Sequence, residues 1–372
     1  MKIVVLLVII VSSLFQAASS QTPTATFTTI EGATLSARLE TAIKQGQARG
    51  ARFWTAYSFD VRPNITMDSD VNISGNSTWI NGIEINSQSE TRHLAFFQLH
   101  EANGKTVTRY EIYNLDRKRE YSGVPVYWLG RANNDESLNF LKGLVNEAGD
   151  DKLKERATQA IALHDDQRVG SMLKELTKNS NPERVRKTAI FWLGQVEGER
   201  EFLADFVRNE QESIEVRKQA AFGIGISKDK AALPLLRKLY DSVASPEVKR
   251  QLIFAASISE DKDAAVDFLI NVASSDQDRE LRKKAMFWLG QKAGERSLNF
   301  LSDVAEKNEG DTEVQKQAVF ALSQRQKSEA VPKLIQIAKT HQNLAVRKQA
   351  IFWLGQSGDE RALAYFKELF TK

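Results

Sequence analysis

The sequence predicts a mainly α protein: a right-handed α-solenoid of about eight two-helix repeats over residues 121–372, preceded by a small α+β N-terminal domain with an antiparallel sheet at 21–120. Three observations predict it. Near-identical strings recur around the tryptophans, they recur at a fixed period, and the residues before them alternate in hydrophobicity as strands do.

The strings Val185–Gly194, Leu281–Gly290 and Val346–Gly355 share the pattern Val/Leu-Arg-Lys-x-Ala-x-Phe-Trp-Leu-Gly, and weaker copies fill the gaps. Their last small residues are Gly130, Ala162, Gly194, Gly225, Ser257, Gly290, Ser323 and Gly355, spaced 31 to 33 residues apart. A fixed period of that length is the signature of a solenoid. Ser137–Leu141 and Ser297–Leu301 both read Ser-Leu-Asn-Phe-Leu, at the same place after the marker.

Within the last copy, Val346, Ala350, Trp353 and Leu354 share one helical face. Gly355 then stops the helix as a C-terminal glycine. A polar turn, Ser357–Glu360, leads to a second helix carrying Leu363, Phe366, Leu369 and Phe370. One helix pair cannot bury its apolar face alone, so the copies must stack.

Two sets of repeated residues stand out. Trp128, Trp192, Trp288 and Trp353 hold equivalent places, filled by Ala160, Gly223, Ala255 and Ala321 in other copies. Lying on the apolar stripe beside leucine, they are expected to build the core. Arg186, Arg217, Arg282 and Arg347 head a ladder of basic pairs, with Lys249-Arg250 as a further rung. Glu215, Glu247, Glu280 and Glu313 stand three residues before Lys218, Arg250, Lys283 and Lys316, the spacing of an ion pair within a helix. The ladder is therefore expected to be structural.

The N-terminal part has a different texture. Leu35, Leu39, Ala42 and Ile43 mark a helix that Gly50 can stop. Phe53 to Val61 alternates with the period of a strand that buries one face, and Pro63 ends it. Runs at His93–His100 and Lys105–Asn114 flank Asn103-Gly104, a strong hairpin signal. The segment Asn64 to Ser89 reads as loops around a short strand near Trp79 to Ile85, with sequons at Asn64, Asn72 and Asn76.

Residues 1–20 read as a cleavable signal peptide: Lys2 is the only charge, Ile3 to Val11 is apolar, and Ala18-Ser19-Ser20 supplies small residues before Gln21. The expected location is therefore periplasmic or secreted, with no transmembrane segment after cleavage. With 51 basic and 48 acidic residues the formal charge is +3, which gives no reason to expect nucleic acid as a partner. The absence of cysteine excludes disulfides and thiol catalysis.

The pattern Val-Arg-x-x-Ala-x-x-x-Leu-Gly, a short acidic turn and a second leucine-bearing helix resembles the HEAT-like repeats named after phycobilisome lyases, over about residues 121–372. The whole arrangement is similar to exported bacterial HEAT-repeat proteins. This resemblance implies a solenoid whose second helices line the concave side. Glu201, Arg208, Lys238, Asp241, Asp303, Lys307, Lys333 and Lys367 would be presented there. Both signs are mixed in that set, which suits a protein partner better than a polyanion.

Motifs for catalysis are sparse. The four histidines His93, His100, His164 and His341 contain no pair at metal-ligand spacing, and there is no phosphate loop or nucleophile elbow. No catalytic, cofactor-binding or metal-binding residue is therefore expected, and the function expected first is a protein-binding scaffold or adaptor. The alternatives are an enzyme or ligand carrier with its site near Trp54, Tyr57, His93 and Tyr110, or a bilin-lyase-like activity, which export would oppose.

Overall fold

The computed structural model describes residues 27–63, 65, 67, 79–80, 83–84, 93–115, 121, 123–307 and 310–371. The leader and the sequon residues Asn64, Asn72 and Asn76 lie outside the described residues. Two compact units divide the chain between Ser137 and Leu138.

The first unit contains strands β1 (Phe27–Thr29) and β2 (Phe53–Phe59) separated by helix α1 (Leu35–Arg49), then β3 (Trp79–Ile80), β4 (Ile83–Glu84), β5 (Leu94–His100), β6 (Val107–Asn114) and β7 (Val126–Arg131). Thr34 caps α1 by accepting from the Ala37 N–H, and Gly50 ends it at φ 65°. The main sheet runs β1-β7-β2-β5-β6, while β3 and β4 form a separate antiparallel pair.

The sheet is mixed, not antiparallel as expected. Both β1 and β2 are parallel to β7, whereas β2-β5 and β5-β6 are antiparallel. The helix between β1 and β2 brings the chain back so that both strands run the same way, and β7 fills the slot between them. The expectation of one buried face on β2 is also corrected. Six of its seven residues are buried, because α1 covers one side and an aromatic cluster covers the other. On the helix side Gly46 lies against the Phe53 ring. On the other, Trp54, Ala56, Phe97, Leu99, Tyr113 and Val126 pack together.

Strand β7 overturns the expected start of the repeats at 121 and the copy marked by Gly130. Tyr127-Trp128-Leu129-Gly130 differs from the helical Phe-Trp-Leu-Gly strings by one aromatic residue, yet it pairs with Thr28, Thr29, Thr55 and Ala56 in the sheet. Pro125 denies this segment a helical donor at its head and its carbonyl accepts from the Trp54 N–H, while Val124 and Val126 favour extended backbone. Tertiary pairing decides between two readings of the same residues. The echo at Ser137–Leu141 nevertheless falls on a helix, α2 (Asn134–Glu147).

In the second unit the helices are α3 (Asp151–Leu163), α4 (Val169–Leu176), α5 (Glu183–Leu193), α6 (Arg200–Arg208), α7 (Ile214–Ile226), α8 (Ala232–Ser242), α9 (Pro246–Ile258), α10 (Lys262–Ser275), α11 (Arg279–Gly290), α12 (Glu295–Glu306), α13 (Thr312–Ser323), α14 (Lys327–Thr340), α15 (Leu344–Ser357) and α16 (Glu360–Phe370). The odd-numbered helices from α3 to α15 stack in one row, and the even-numbered helices from α6 to α16 stack in a second. Ser213, Ser245, Asp261, Asp278, Asp311, Asn343 and Asp359 cap helix starts by accepting backbone N–H groups.

The marker glycines do not end their helices by adopting a left-handed conformation. Gly194 has φ −60°, Gly225 and Gly290 lie within α7 and α11, and α15 runs past Gly355 to a left-handed cap at Gly358. Their role is steric. A Cβ at Gly225 would stand 2.6 Å from the Ala255 carbonyl oxygen, and one at Gly290 2.6 Å from that of Ala321; at Gly194 it would strike the Gly223 backbone. The marker is small because the next odd-numbered helix touches its backbone. Around Gly355 nothing lies within 4 Å.

One position in the repeat should thus give opposite results. Gly290→Ala and Gly225→Ala are expected to destabilise by about 1–3 kcal/mol through overpacking. Gly355→Ala should stabilise α15 by up to about 1 kcal/mol through helix propensity. Urea denaturation of the three variants checks the sign.

Candidate functional site: the faces of the helical repeats

The four residues proposed for an N-terminal site do not form one. Trp54 and Tyr57 are buried on opposite faces of β2, Tyr110 is buried against Phe96 on the Tyr57 side, and His93 is exposed. The polar groups in this core are spoken for. The Tyr57 hydroxyl is 2.9 Å from Ser137 Oγ, and burial raises its pKa. His100 stacks on Phe53 with ring centroids 4.8 Å apart. With its Nδ1–H donating to the Gly104 carbonyl (3.3 Å), its Nε2 is left to accept from the Thr55 hydroxyl (3.0 Å). Burial pushes its pKa down to about 4, only partly opposed by the Gly104 hydrogen bond.

The arginine ladder ties helix ends together. Each side chain reaches a carbonyl at the end of the preceding even-numbered helix or just beyond it, where carbonyls lack partners within the helix. Arg186 Nε donates to Thr177 O (2.8 Å), Arg217 Nε to Val207 O (3.0 Å), Arg282 Nη1 to Asp276 O (2.9 Å) and Arg347 Nη1 to Gln342 O (3.0 Å). At the same station Lys249 sits 4.9 Å above the Tyr240 ring, and Gln315 Nε2 donates to Lys307 O. The residue that follows this station points elsewhere in four copies: Lys218, Arg250, Lys283 and Lys316 pair with Glu215, Glu247, Glu280 and Glu313 at 2.8, 3.1, 3.2 and 3.0 Å.

Arg186 alone among the ladder arginines grips one carboxylate with both terminal nitrogens. They donate to Glu212, one at 3.1 Å. Burial by itself would raise the Glu212 carboxyl, but hydrogen bonds from Arg186 and from the Ser213 N–H, with the guanidinium charge, outweigh it and hold the pKa below the ordinary range.

The tryptophans are not equivalent in space. Trp192 is 1% exposed, Trp288 and Trp353 are half-buried, and Trp128 belongs to the sheet of the other unit. The more regular feature lies one residue earlier and was overlooked in the sequence. Phe191, Phe222, Phe254, Phe287, Phe320 and Phe352 occupy the same place in six successive odd-numbered helices. Phe191 stacks on Phe222 (6.0 Å between centroids), Phe222 on Phe254 (5.9 Å) and Phe287 on Phe320 (6.3 Å). Trp288 contacts Phe254 at 5.0 Å and Trp353 contacts Phe320 at 5.1 Å, so the column continues through the indoles. It opens along its length, from Phe191 at 2% exposed to Phe352 at 54%. Lys284 lies 5.3 Å from the Phe287 ring centroid and 5.4 Å from that of Trp288.

The even-numbered helices carry the charged set expected from sequence. Glu201, Arg208, Lys238, Asp241, Asp303, Lys307 and Lys367 are exposed, while Lys333 is half-buried with Glu306 at 3.9 Å. Two depressions open on this side: one of about 480 Å³ between α4 and α6, beside Lys174 and Phe202, and one of about 210 Å³ where α6, α7 and α8 meet. Among the described residues no group of three or more His, Asp or Glu stands together as a metal site, and no helix is long and apolar enough to cross a membrane.

Two outcomes check these arrangements. Glu212→Ala leaves a buried guanidinium unpaired and should cost about 3–5 kcal/mol in urea denaturation; the wild-type contribution is present above the ordinary carboxyl value of 4.5 and fades as pH falls through the lowered one. The first unit should behave similarly for a different reason. Its stability is full above pH 6.5 and falls by roughly 3 kcal/mol as pH drops toward 4, because the unfolded chain takes up a proton that folded His100 refuses. NMR titration of the His100 ring, with a midpoint near 4, is the direct measurement.

Comparison with known proteins places the array. A family model described as HEAT repeats matches residues 170–257, 200–290 and 298–372, together more than half of the chain. No curated protein matches the sequence. Among solved structures, human deoxyhypusine hydroxylase is 17% identical, with 62% of this chain and 90% of that one covered at a TM-score of 0.29. The CpcE–CpcF complex of phycocyanin lyase from Nostoc sp. PCC7120 is 16% identical, covering 63% and 94% at 0.32. Kap95p, solved with RanGDP, is 14% identical, covering 64% of this chain and 36% of that one at 0.39. Likeness at this level carries no argument about function. By its repeats, the chain belongs to the HEAT-repeat family.

Proposed function

We propose that the chain is an exported, non-enzymatic scaffold that holds a protein partner on its helical repeats, seven helix pairs from α3/α4 to α15/α16 wound into a right-handed solenoid. The aromatic column carries this reading. Phe254, Phe287, Trp288, Phe320 and Trp353 are half-buried and Phe352 is more than half exposed, in a single file with a lysine stem beside it. Aromatic side chains held rigid by their neighbours yet open on one side offer large apolar contact area at little entropic cost, the usual make-up of binding hot spots. The mixed charges of the even-numbered helices would set orientation and exclude wrong partners. Export rests on Lys2, the apolar run Ile3 to Val11 and the small residues ahead of Gln21.

Tagged full-length chain should capture a defined protein from an envelope extract. Phe352→Ser combined with Lys284→Glu should lose that protein, while the melting temperature moves by only a few degrees. Retention of the same protein by the double variant would remove the aromatic column from the interface. Amino-terminal sequencing should find Gln21 first; a chain that keeps Met1 would refute cleavage.

A further inference from the structure

The pocket among α6, α7 and α8 contains a guanidinium whose terminal nitrogens pair with no carboxylate of the described residues, Glu210 in the pocket lining included. Arg217 is 4% exposed, and its Nε donates to Val207 O at 3.0 Å. Its terminal nitrogens make no hydrogen bond or ion pair with any described residue, and neither is sealed from the solvent. In the preceding repeat, Arg186 holds the same station and its terminal nitrogens grip Glu212. Glu212 stands directly before Ser213, the cap of α7; the residue directly before Ser245, the cap of α9, is Ala244, which is exposed. The carboxylate that completes the Arg186 tie is therefore missing beside Arg217.

The vacancy opens onto a cavity of about 210 Å³ lined by Arg208, Glu210, Arg217, Lys238, Ser242 and Val243. Three of these residues are cationic and one is anionic. Arg208 already leans on Asp205 (3.1 Å) and Glu201 (3.8 Å), whereas Lys238 has no ion pair. Ser242 donates its hydroxyl to Leu239 O at 3.0 Å, leaving its oxygen lone pairs and no free donor. The chemistry on offer is thus a fixed two-nitrogen fork with a mobile ammonium nearby.

We propose that this pocket binds a carboxylate, gripped by Arg217 as Glu212 is gripped by Arg186, with Lys238 closing over it. A planar guanidinium held at Nε by a backbone carbonyl presents its remaining N–H groups in the geometry that a carboxylate matches in pairs. Burial of the guanidinium itself, at 4% exposed, strengthens such a bond over one on the open surface. The carboxylate can come from a small free diacid or from an acidic side chain of a bound protein. Only the second source rests on the scaffold reading.

Calorimetric titration of the full chain with succinate, a glutamate-rich peptide and inorganic phosphate decides the matter. Succinate or the peptide should bind, and Ala244→Glu should lower that affinity at least tenfold by supplying the missing carboxylate internally, with a raised melting temperature. Arg217→Gln should abolish binding; should that buried substitution prevent folding, the exposed Ala244→Glu variant still gives the answer. Succinate and peptide binding together assign a general carboxylate site, and peptide binding alone assigns the protein source. Absence of binding by both, binding of phosphate alone, or binding undiminished by Ala244→Glu overturns the proposal. Loss of the captured protein in the aromatic double variant is read separately, so failure here leaves the scaffold test intact.

Discussion

Neighbouring odd-numbered helices touch backbone to backbone at the marker position, and much of the repeat array follows from that contact. Gly194 meets Gly223, Gly225 meets Ala255, and Gly290 meets Ala321, each pair with no room for another carbon. Helices so close bring the phenylalanines one turn away into stacking range, between 5.9 and 6.3 Å for the stacked pairs. The same spacing lets each ladder side chain span to the end of the preceding helix. Small residue, stacked ring and arginine tie are three consequences of one distance.

Regularity of this kind also makes departures visible. A repeat array holds together by nearest-neighbour interfaces, so a station that lacks its usual partner can be recognised by comparison with the copy beside it. Arg217 is such a station: in place and buried, like Arg186, but without a Glu212. Buried guanidinium groups are costly to leave unpaired. Elsewhere the array meets that cost, as where Arg325 is satisfied by Gly294 O, Ser297 Oγ and Glu329. The open column of aromatics is a second departure, since Phe352 is exposed where Phe191 is enclosed.

The first unit is built on another principle. Its central strand β2 is covered on both faces, which places histidine, threonine and tyrosine among aromatic rings with their hydrogen bonds satisfied internally. Such groups pack the core and, through His100, make the stability of this unit depend on pH.

The residues alone determined the repeat, its helix caps and its intrahelical ion pairs, because these depend on neighbours within a few positions: a serine or aspartate ahead of a helix, a glutamate three residues before a lysine. They also contained the phenylalanine column, whose period was as regular as that of the tryptophans. Only the tertiary structure decided that Trp128 belongs to a strand, that the sheet is mixed, and that the marker glycines serve close approach instead of helix termination. The physical reason is common to all three. A Trp-Leu-Gly string is compatible with helix and strand alike, and the choice is made by what lies alongside: an open edge of β2 in one case, the backbone of the next helix in the others.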